Sequence, residues 1–163
     1  MKKRCRVSLL FMSLLVFLFC ISGVVSAAPL PPPDTEISTD QNKSIVIHTR
    51  EVTTDGITLI SDWGCGIRDV GNRKVNISGL TGTAGYGMVD YCDATVYLQQ
   101  WNGSSWVNVT SRTYSAYNSI EASGFSNISV TGGYYYRSCS THSARDGSLL
   151  DYQTTISQAV FIQ

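Results

Sequence analysis

The chain has 163 residues, enough for one ordinary domain, and it carries 12 Lys or Arg against 12 Asp or Glu. The chain therefore has no excess of basic residues with which to neutralise phosphates, so we expect no nucleic-acid partner. None of the spacings among its five cysteines matches a zinc site, and we expect no metal and no other cofactor.

The N-terminus has the features of a secretory signal peptide. Four basic residues within the first six positions precede an uncharged apolar run over 7–25. Small residues then occupy the two positions that a signal peptidase reads, which predicts a signal peptide over 1–27 and cleavage between Ala27 and Ala28. The alternative is a membrane anchor, because an apolar run of this length could just span a bilayer.

Cleavage would change the charge of the protein. It would remove four basic residues and no acidic one, which leaves a net charge of −4 with His neutral. That charge argues against binding to an anionic membrane surface and is typical of a soluble exported domain. We therefore expect a secreted, extracellular protein that has no contact with the membrane after cleavage.

The segment that follows predicts a linker and then a domain. Residues 28–43 begin with a Pro-rich stretch and continue with polar residues, a composition typical of an extended, disordered spacer. The folded domain is predicted over 44–163. Residues 44–52 have strand composition without clean alternation, so the sequence leaves open whether they form an edge strand.

Two strands open the domain. The first is predicted over 57–67, with Cys65 and Ile67 on its buried face. The second contains Val75 and Ile77, which alternate with polar residues and point to the interior. The glycine-rich residues 81–87 are predicted to form a loop.

A hairpin forms the centre of the predicted fold. Two runs rich in β-branched and aromatic residues, 88–101 and 106–114, flank Asn102-Gly103, which is the strongest short-range hairpin signal. The residues predicted to face the core from its first strand are Ala94, Val96 and Leu98.

The remaining strands follow a polar connection over 115–124. They are predicted near 127–131, 134–140 and 154–162, and Tyr136 is expected to face inward. Short strands, frequent turn signals and the lack of an amphipathic helical pattern predict an all-β fold, an antiparallel β-sandwich of about seven strands.

The chain resembles an uncharacterised family of small secreted proteins of Gram-positive bacteria over residues 60–163. The residues that carry the resemblance are Cys65, Ile67, Val75, Ile77, Gly79, Val96, Leu98, Trp101, Trp106, Gly133, Tyr136, Arg137 and His142. The resemblance implies a bacterial, exported, immunoglobulin- or fibronectin-like sandwich and brings no catalytic residue with it. Where many members have a Glu, Asp151 is the nearest acid of this chain.

Three cysteines remain after the predicted cleavage, and an exported protein is expected to pair two of them. Cys65 and Cys92 both have inward parity on different strands, whereas Cys139 has the opposite parity to Tyr136. We therefore predict a Cys65–Cys92 disulfide, with Cys139 as a partly exposed thiol. The other pairings and a fully reduced state are the alternatives.

The aromatic residues of the sequence indicate a surface that binds a ligand. Tyr97 and Trp101 have the parity opposite to the buried residues of their strand, and Tyr135 is placed similarly on its own strand. Aromatic side chains on a solvated sheet face can stack on sugars or anchor a protein partner, unless another segment covers them. We predict a non-enzymatic binding module for a glycan or a protein.

Two other classes of function remain open from the sequence. A small secreted hydrolase would use His142, with Ser143 and Asp146 close in sequence, but the chain has no nucleophile-elbow motif. A hydrogen-bonded structural histidine is the simpler interpretation. The third class is a secreted toxin or antimicrobial factor, and the sequence leaves the oligomeric state open.

Overall fold

The computed structural model describes residues 30–33, the backbone of 46–49, and residues 58–163. The predicted signal peptide, its cleavage point and most of the predicted linker lie outside the described residues. Within that linker, Pro32 is buried and its neighbours are exposed. In the described ranges no helix is long and apolar enough to cross a membrane.

The described residues form nine strands. Their bounds are β1 Val46–Thr49, β2 Asp62–Asp69, β3 Lys74–Gly82, β4 Val89–Trp101, β5 Trp106–Ser119, β6 Glu121–Ser129, β7 Tyr134–Asp146, β8 Leu149–Ser157 and β9 Val160–Ile162. The larger sheet has the order β1-β8-β7-β4-β5, with β9 also paired to β7, and the smaller sheet has the order β2-β3-β6. All pairs are antiparallel, which gives an open, sandwich-like all-β domain.

The strand count exceeds the predicted seven because the last predicted strand is two strands and because segment 44–52, which the sequence left undecided, adds β1. The last predicted strand consists of β8 and β9, which pair with the same side of β7 at different heights, the side opposite β4. The predicted connection 115–124 belongs to β5 and β6, and a tight turn at Ile120 joins them. The polar composition of 115–124 suits these two strands, because β5 and β6 lie at sheet edges, where side chains are exposed to water. The undecided segment 44–52 contains edge strand β1.

The predicted hairpin is confirmed. Trp101 of β4 pairs with Trp106 of β5 across a four-residue turn, in which Gly103 has φ 101°, a conformation that glycine adopts without steric cost. The Asn102 side chain accepts hydrogen bonds from the backbone N–H groups of Ser104 and Ser105, at 2.9 Å each. This Asx-type turn fixes the register of β4 and β5.

Alternation along the strands builds the core between the sheets. The predicted inward residues of β4, including Val96 and Leu98, are fully buried, and Tyr136 is 1% exposed. One buried cluster consists of Cys65, Ile67, Val75, Ile77, Val96, Leu98, Ile128, Tyr136, Val160 and Ile162. A second consists of Leu59, Ile60, Val89, Cys92, Ala122 and Ala144.

A pair of glycines lets one tyrosine enter the interior. Gly79 of β3 and Gly124 of β6 are direct partners in the register. A Cβ at Gly124 would overlap the ring of Tyr114, and one at Gly79 would lie 2.5 Å from Val96 Cγ2. The ring of Tyr114 thus occupies the space left by the missing side chain of Gly124, and its hydroxyl donates to Ser126 Oγ at 3.0 Å.

Strand β8 reverses the usual polarity of a sandwich strand. Its buried face consists of polar residues, namely Asp151, Gln153, Thr155 and Ser157. Its other face carries Leu150, Tyr152 and Ile156, which are 47%, 50% and 37% exposed. Burial of polar groups requires hydrogen-bond partners. Asp151 obtains them from the backbone N–H groups of Leu59 and Ile60, at 3.0 Å each.

The expected Cys65–Cys92 disulfide is absent, and the three cysteines of the described part carry free thiols. Both residues face inward as expected, but they belong to the two different buried clusters. Shared parity places two side chains in one interior without placing them at one height, and a bridge needs adjacent Cβ atoms. Cys139 is partly exposed, as its opposite parity predicts.

Candidate functional site

His142 lies in a hydrogen-bonded cluster inside the sandwich. Its Nδ1 lies 2.8 Å from the Thr81 hydroxyl of β3, and its Nε2 lies 2.6 Å from Ser140 Oγ and 2.7 Å from Thr155 Oγ1. All four side chains are 0% exposed. The Thr81 hydroxyl also donates to the backbone oxygen of Asp93 at 2.8 Å, so the cluster joins the two sheets.

This cluster lacks the arrangement of a catalytic triad. A serine lies within hydrogen-bond reach of the histidine, but the second ring nitrogen faces a threonine where a triad has a carboxylate. Ser143 and Asp146, the residues near in sequence, are elsewhere: Ser143 donates to the Asp93 carboxylate, and Asp146 accepts from Tyr86 at 2.8 Å. The arrangement satisfies buried polar groups on β7 and β8.

Cys65 lies beside the same cluster. Its Sγ is 3.7 Å from the backbone oxygens of Ser138 and Thr155. Burial raises the pKa of the Cys65 thiol to about 11, against an ordinary 9.0. A thiol held protonated in this way is a poor nucleophile and a poor metal ligand at neutral pH.

The outer face of the larger sheet carries a row of aromatic residues that crosses four strands. Trp106 of β5 is the register partner of Trp101 of β4, and Tyr135 of β7 is the partner of Phe161 of β9. The β4–β7 register, extended by one residue from Gln100↔Tyr136, sets Trp101 beside Tyr135. We call Trp106, Trp101, Tyr135 and Phe161 the aromatic row, and three strand spacings make it roughly 14 Å long.

The aromatic row is packed rather than loosely scattered. The ring centroids of Trp101 and Trp106 are 5.5 Å apart, and those of Tyr135 and Phe161 are 4.9 Å apart. Both pairs are tilted by more than 50°, a favourable arrangement of aromatic quadrupoles. Neighbouring rings hold one another in place, so the row presents a preorganised surface.

Two of the three predicted binding residues, Trp101 and Tyr135, belong to this row. Trp101, expected on a solvated face, is only 7% exposed, because its neighbours in the row cover it. Its indole Nε1 is buried and has no hydrogen-bond partner among the described residues. Tyr135 belongs to the row and is partly exposed, as is Tyr97, which lies on the same face about four residues, or roughly 13 Å, along β4.

A polar ladder runs beside the aromatic row. Asn108, Gln99 and Arg137 are register neighbours on β5, β4 and β7. Gln99 Nε2 donates to Asn108 Oδ1 at 2.9 Å, and Arg137 Nε donates to Gln99 Oε1 at 2.8 Å. The Arg137 guanidinium carbon lies 4.4 Å from the Trp106 ring centroid, a cation–π contact that joins the ladder to the row.

Sequence reasoning missed Trp106, Phe161 and Arg137 as members of this surface. Trp106 could have been found, because a hairpin with a four-residue turn sets the residues that flank the turn opposite each other. Arg137 and Phe161 come from distant strands, and their place follows from the β4–β7 and β7–β9 pairings.

A groove lies on the smaller sheet. It is an open groove of about 560 Å³, and its lining includes Asp62, Gly64, Gly66, Leu80 and Phe125. The glycines leave β2 without side chains on this face, whereas Phe125 is 71% exposed beside them. The lining is mostly apolar, and Asp62 is its one charged member.

Comparison with known proteins returned no match: no family model, no curated protein and no solved structure corresponds to this chain. The resemblance to a secreted bacterial family is therefore not shown, and the structure establishes a two-sheet, all-β domain. Within the part of the chain that the structure describes, no group of three or more His, Cys, Asp or Glu residues could hold a metal ion.

Proposed function

We propose that this protein is a secreted, non-enzymatic module that binds polysaccharide through the outer face of its larger sheet. The observation that carries the proposal is the aromatic row beside the amide and guanidinium groups of Asn108, Gln99 and Arg137. Apolar ring faces suit the flat faces of sugar rings, and planar polar groups suit their hydroxyls. The setting is extracellular, after cleavage between Ala27 and Ala28, as in the secreted Gram-positive family with immunoglobulin-like sandwiches.

The rest of the same face supports this proposal. Strand β8 turns Leu150, Tyr152 and Ile156 outward while it buries polar residues, the reverse of what stability alone favours. Apolar groups concentrated on one exposed face are typical of interaction surfaces. Hydroxyl-bearing residues share this face, among them Thr95 and Thr113, whose Oγ1 atoms are 2.9 Å apart. A surface that mixes rings with hydroxyls and amides favours a sugar polymer over a purely apolar partner.

The geometry favours binding over the hydrolase alternative. A hydrolase that used His142 would need Ser140 as its nucleophile, and a substrate would have to reach both. Each side chain is 0% exposed, and neither lines the groove on the smaller sheet. The secreted toxin alternative has no geometric feature that favours it.

Replacement of Trp106 tests the proposed surface. The full chain would be sedimented with insoluble bacterial cell-wall glycan and run in affinity gels that contain polygalacturonate. We expect Trp106→Ala to weaken retention roughly tenfold, because an exposed aromatic contact contributes about 1.5 kcal/mol. Phe125→Ser is the control: it removes an exposed ring from the smaller sheet and should bind like the unaltered protein.

The outcomes separate the alternatives. If neither glycan retains the unaltered protein, the proposed function is wrong. If Phe125→Ser weakens binding and Trp106→Ala does not, the ligand occupies the groove of the smaller sheet instead. Turnover of either polymer, abolished by His142→Ala, would establish the hydrolase alternative.

A further inference from the structure

Arg137 is a half-buried cation without an acidic partner. Burial lowers the pKa of its guanidinium, and no Asp or Glu of the described residues lies against it. Asp93 is the nearest acid on the same face of β4, six residues or roughly 20 Å from Gln99. A guanidinium that has lost part of its hydration is usually compensated by a carboxylate or a phosphate.

The surroundings of Arg137 fix its orientation. Its Nε donates to Gln99, and the ring of Trp106 covers one face of the guanidinium. Gln99 is itself held, because its amide nitrogen donates to Asn108 and its amide oxygen is thus turned toward the arginine. The four remaining N–H groups of Arg137 are on Nη1 and Nη2, and together these two nitrogens form the edge with which guanidinium binds carboxylate or phosphate in a two-bond fork.

We propose that the polysaccharide recognised by the aromatic row is anionic, and that Arg137 selects it by binding a carboxylate or phosphate group. This inference rests on the proposed function and names its ligand class. The sugar rings stack along the row while the acidic substituent meets Arg137 beside Trp106. Gln99 and Asn108 act as positioning residues, because they hold the arginine and need not touch the ligand.

Because the whole protein is expected to be negatively charged, selection of an anionic polymer depends on this one residue. The protein carries a net charge of −4 once residues 1–27 are removed, so distant electrostatics do not attract an anionic polymer. Binding then depends on a local, preorganised cation rather than on a basic surface. The expected salt dependence is shallow, since few phosphates or carboxylates are neutralised per site.

Three polymers test the inference in affinity gels with the full chain: polygalacturonate, the same polymer with its carboxyl groups reduced to neutral sugars, and a glycerol-phosphate polymer. We expect the unaltered protein to bind at least one anionic polymer roughly tenfold more tightly than the reduced polymer. Preference for polygalacturonate identifies a carboxylate ligand, and preference for the glycerol-phosphate polymer identifies a phosphate ligand.

Replacement of the arginine supplies the second arm. Arg137→Gln should abolish the preference, so that this variant binds the anionic polymer and the neutral polymer equally. Arg145→Gln is the matched control, because Arg145 lies on the same strand and face, eight residues or roughly 27 Å away. Melting temperatures of both variants would be measured, and the comparison of polymers on the unaltered protein needs no variant at all.

Two results would overturn the inference while the proposed function stands: equal binding of the neutral and anionic polymers, or an unchanged preference in Arg137→Gln alongside weak binding by Trp106→Ala. Absence of binding to every polymer would instead overturn the proposed function, and this inference with it.

Discussion

At the scale of single residues, the three described cysteines have different surroundings. Burial raises the pKa of Cys65, Cys92 and Cys139, with Arg137 opposing the effect at Cys139. The pKa of Cys65 rises to about 11, because burial between the sheets desolvates its thiolate. A thiol that cannot ionise in the folded protein links stability to pH.

The pH dependence follows from the direction of that shift. Below the ordinary pKa of 9.0, Cys65 is protonated in both the folded and the unfolded chain and contributes no difference. Between 9.0 and about 11 the unfolded chain ionises and the folded one does not, so the free energy of unfolding falls. We expect urea denaturation in reducing buffer to show an extra loss of about 2 kcal/mol by pH 11, relative to Cys65→Ala.

The comparison uses the change with pH and not the absolute stability, because Cys65→Ala also leaves a small cavity. Other buried groups, including Tyr136, contribute equally to both proteins. Parallel pH profiles for the two proteins would contradict the prediction.

At the scale of elements, a glycine pair and a tyrosine determine how β5 meets the smaller sheet. Gly124→Ala would force a Cβ into the ring of Tyr114. We expect a loss of about 2 kcal/mol or more in the free energy of unfolding, since the ring is held between two sheets. The measurement is urea denaturation of the purified variant.

Gly82→Ala is the control for that substitution, because its Cβ would meet Asp62 at an ordinary 3.4 Å. We expect it to be neutral or slightly stabilising. In the double variant Gly124→Ala with Tyr114→Ala the overlap disappears, so the two losses should be less than additive. Strict additivity would show that the ring does not fill the glycine gap.

At the scale of the whole molecule, the free edge of β5 requires protection. This strand has 14 residues, pairs with β4 on one side, and exposes Val107 and Val109 at 47% and 48%. Its one charged residue, Arg112, has the parity of the inward side chains yet is exposed, and its Nη1 donates to the backbone oxygen of Ser111 at 2.7 Å. A charge that points inward on an edge strand opposes pairing with a second chain.

Removal of this charge should promote association of the domain with itself. We expect Arg112→Val to shift the sedimentation profile toward larger species than the unaltered protein forms at the same concentration. Arg145→Val makes the same change on β7, which has neighbours on both sides, and serves as the control. If the Arg112→Val profile matches the profiles of the unaltered protein and of Arg145→Val, this edge is protected by other means.

Local sequence determined much of the fold. Alternation placed Val96, Leu98 and Tyr136 in the core, and Asn102-Gly103 set the central hairpin. These features depend on periods of two and on turn chemistry, which neighbouring residues specify on their own. For the same reason Tyr97 and Tyr135 were placed correctly on a partly exposed face.

The tertiary structure alone decided the features that depend on pairing between distant strands. It separated Cys65 from Cys92, buried Trp101 beneath its neighbours, and turned the polar face of β8 toward His142. It also brought Arg137 beside Gln99, 38 residues earlier in the chain. Parity assigns a side chain to a face, but the register of non-adjacent strands assigns its height and its neighbours, and no local pattern encodes that register.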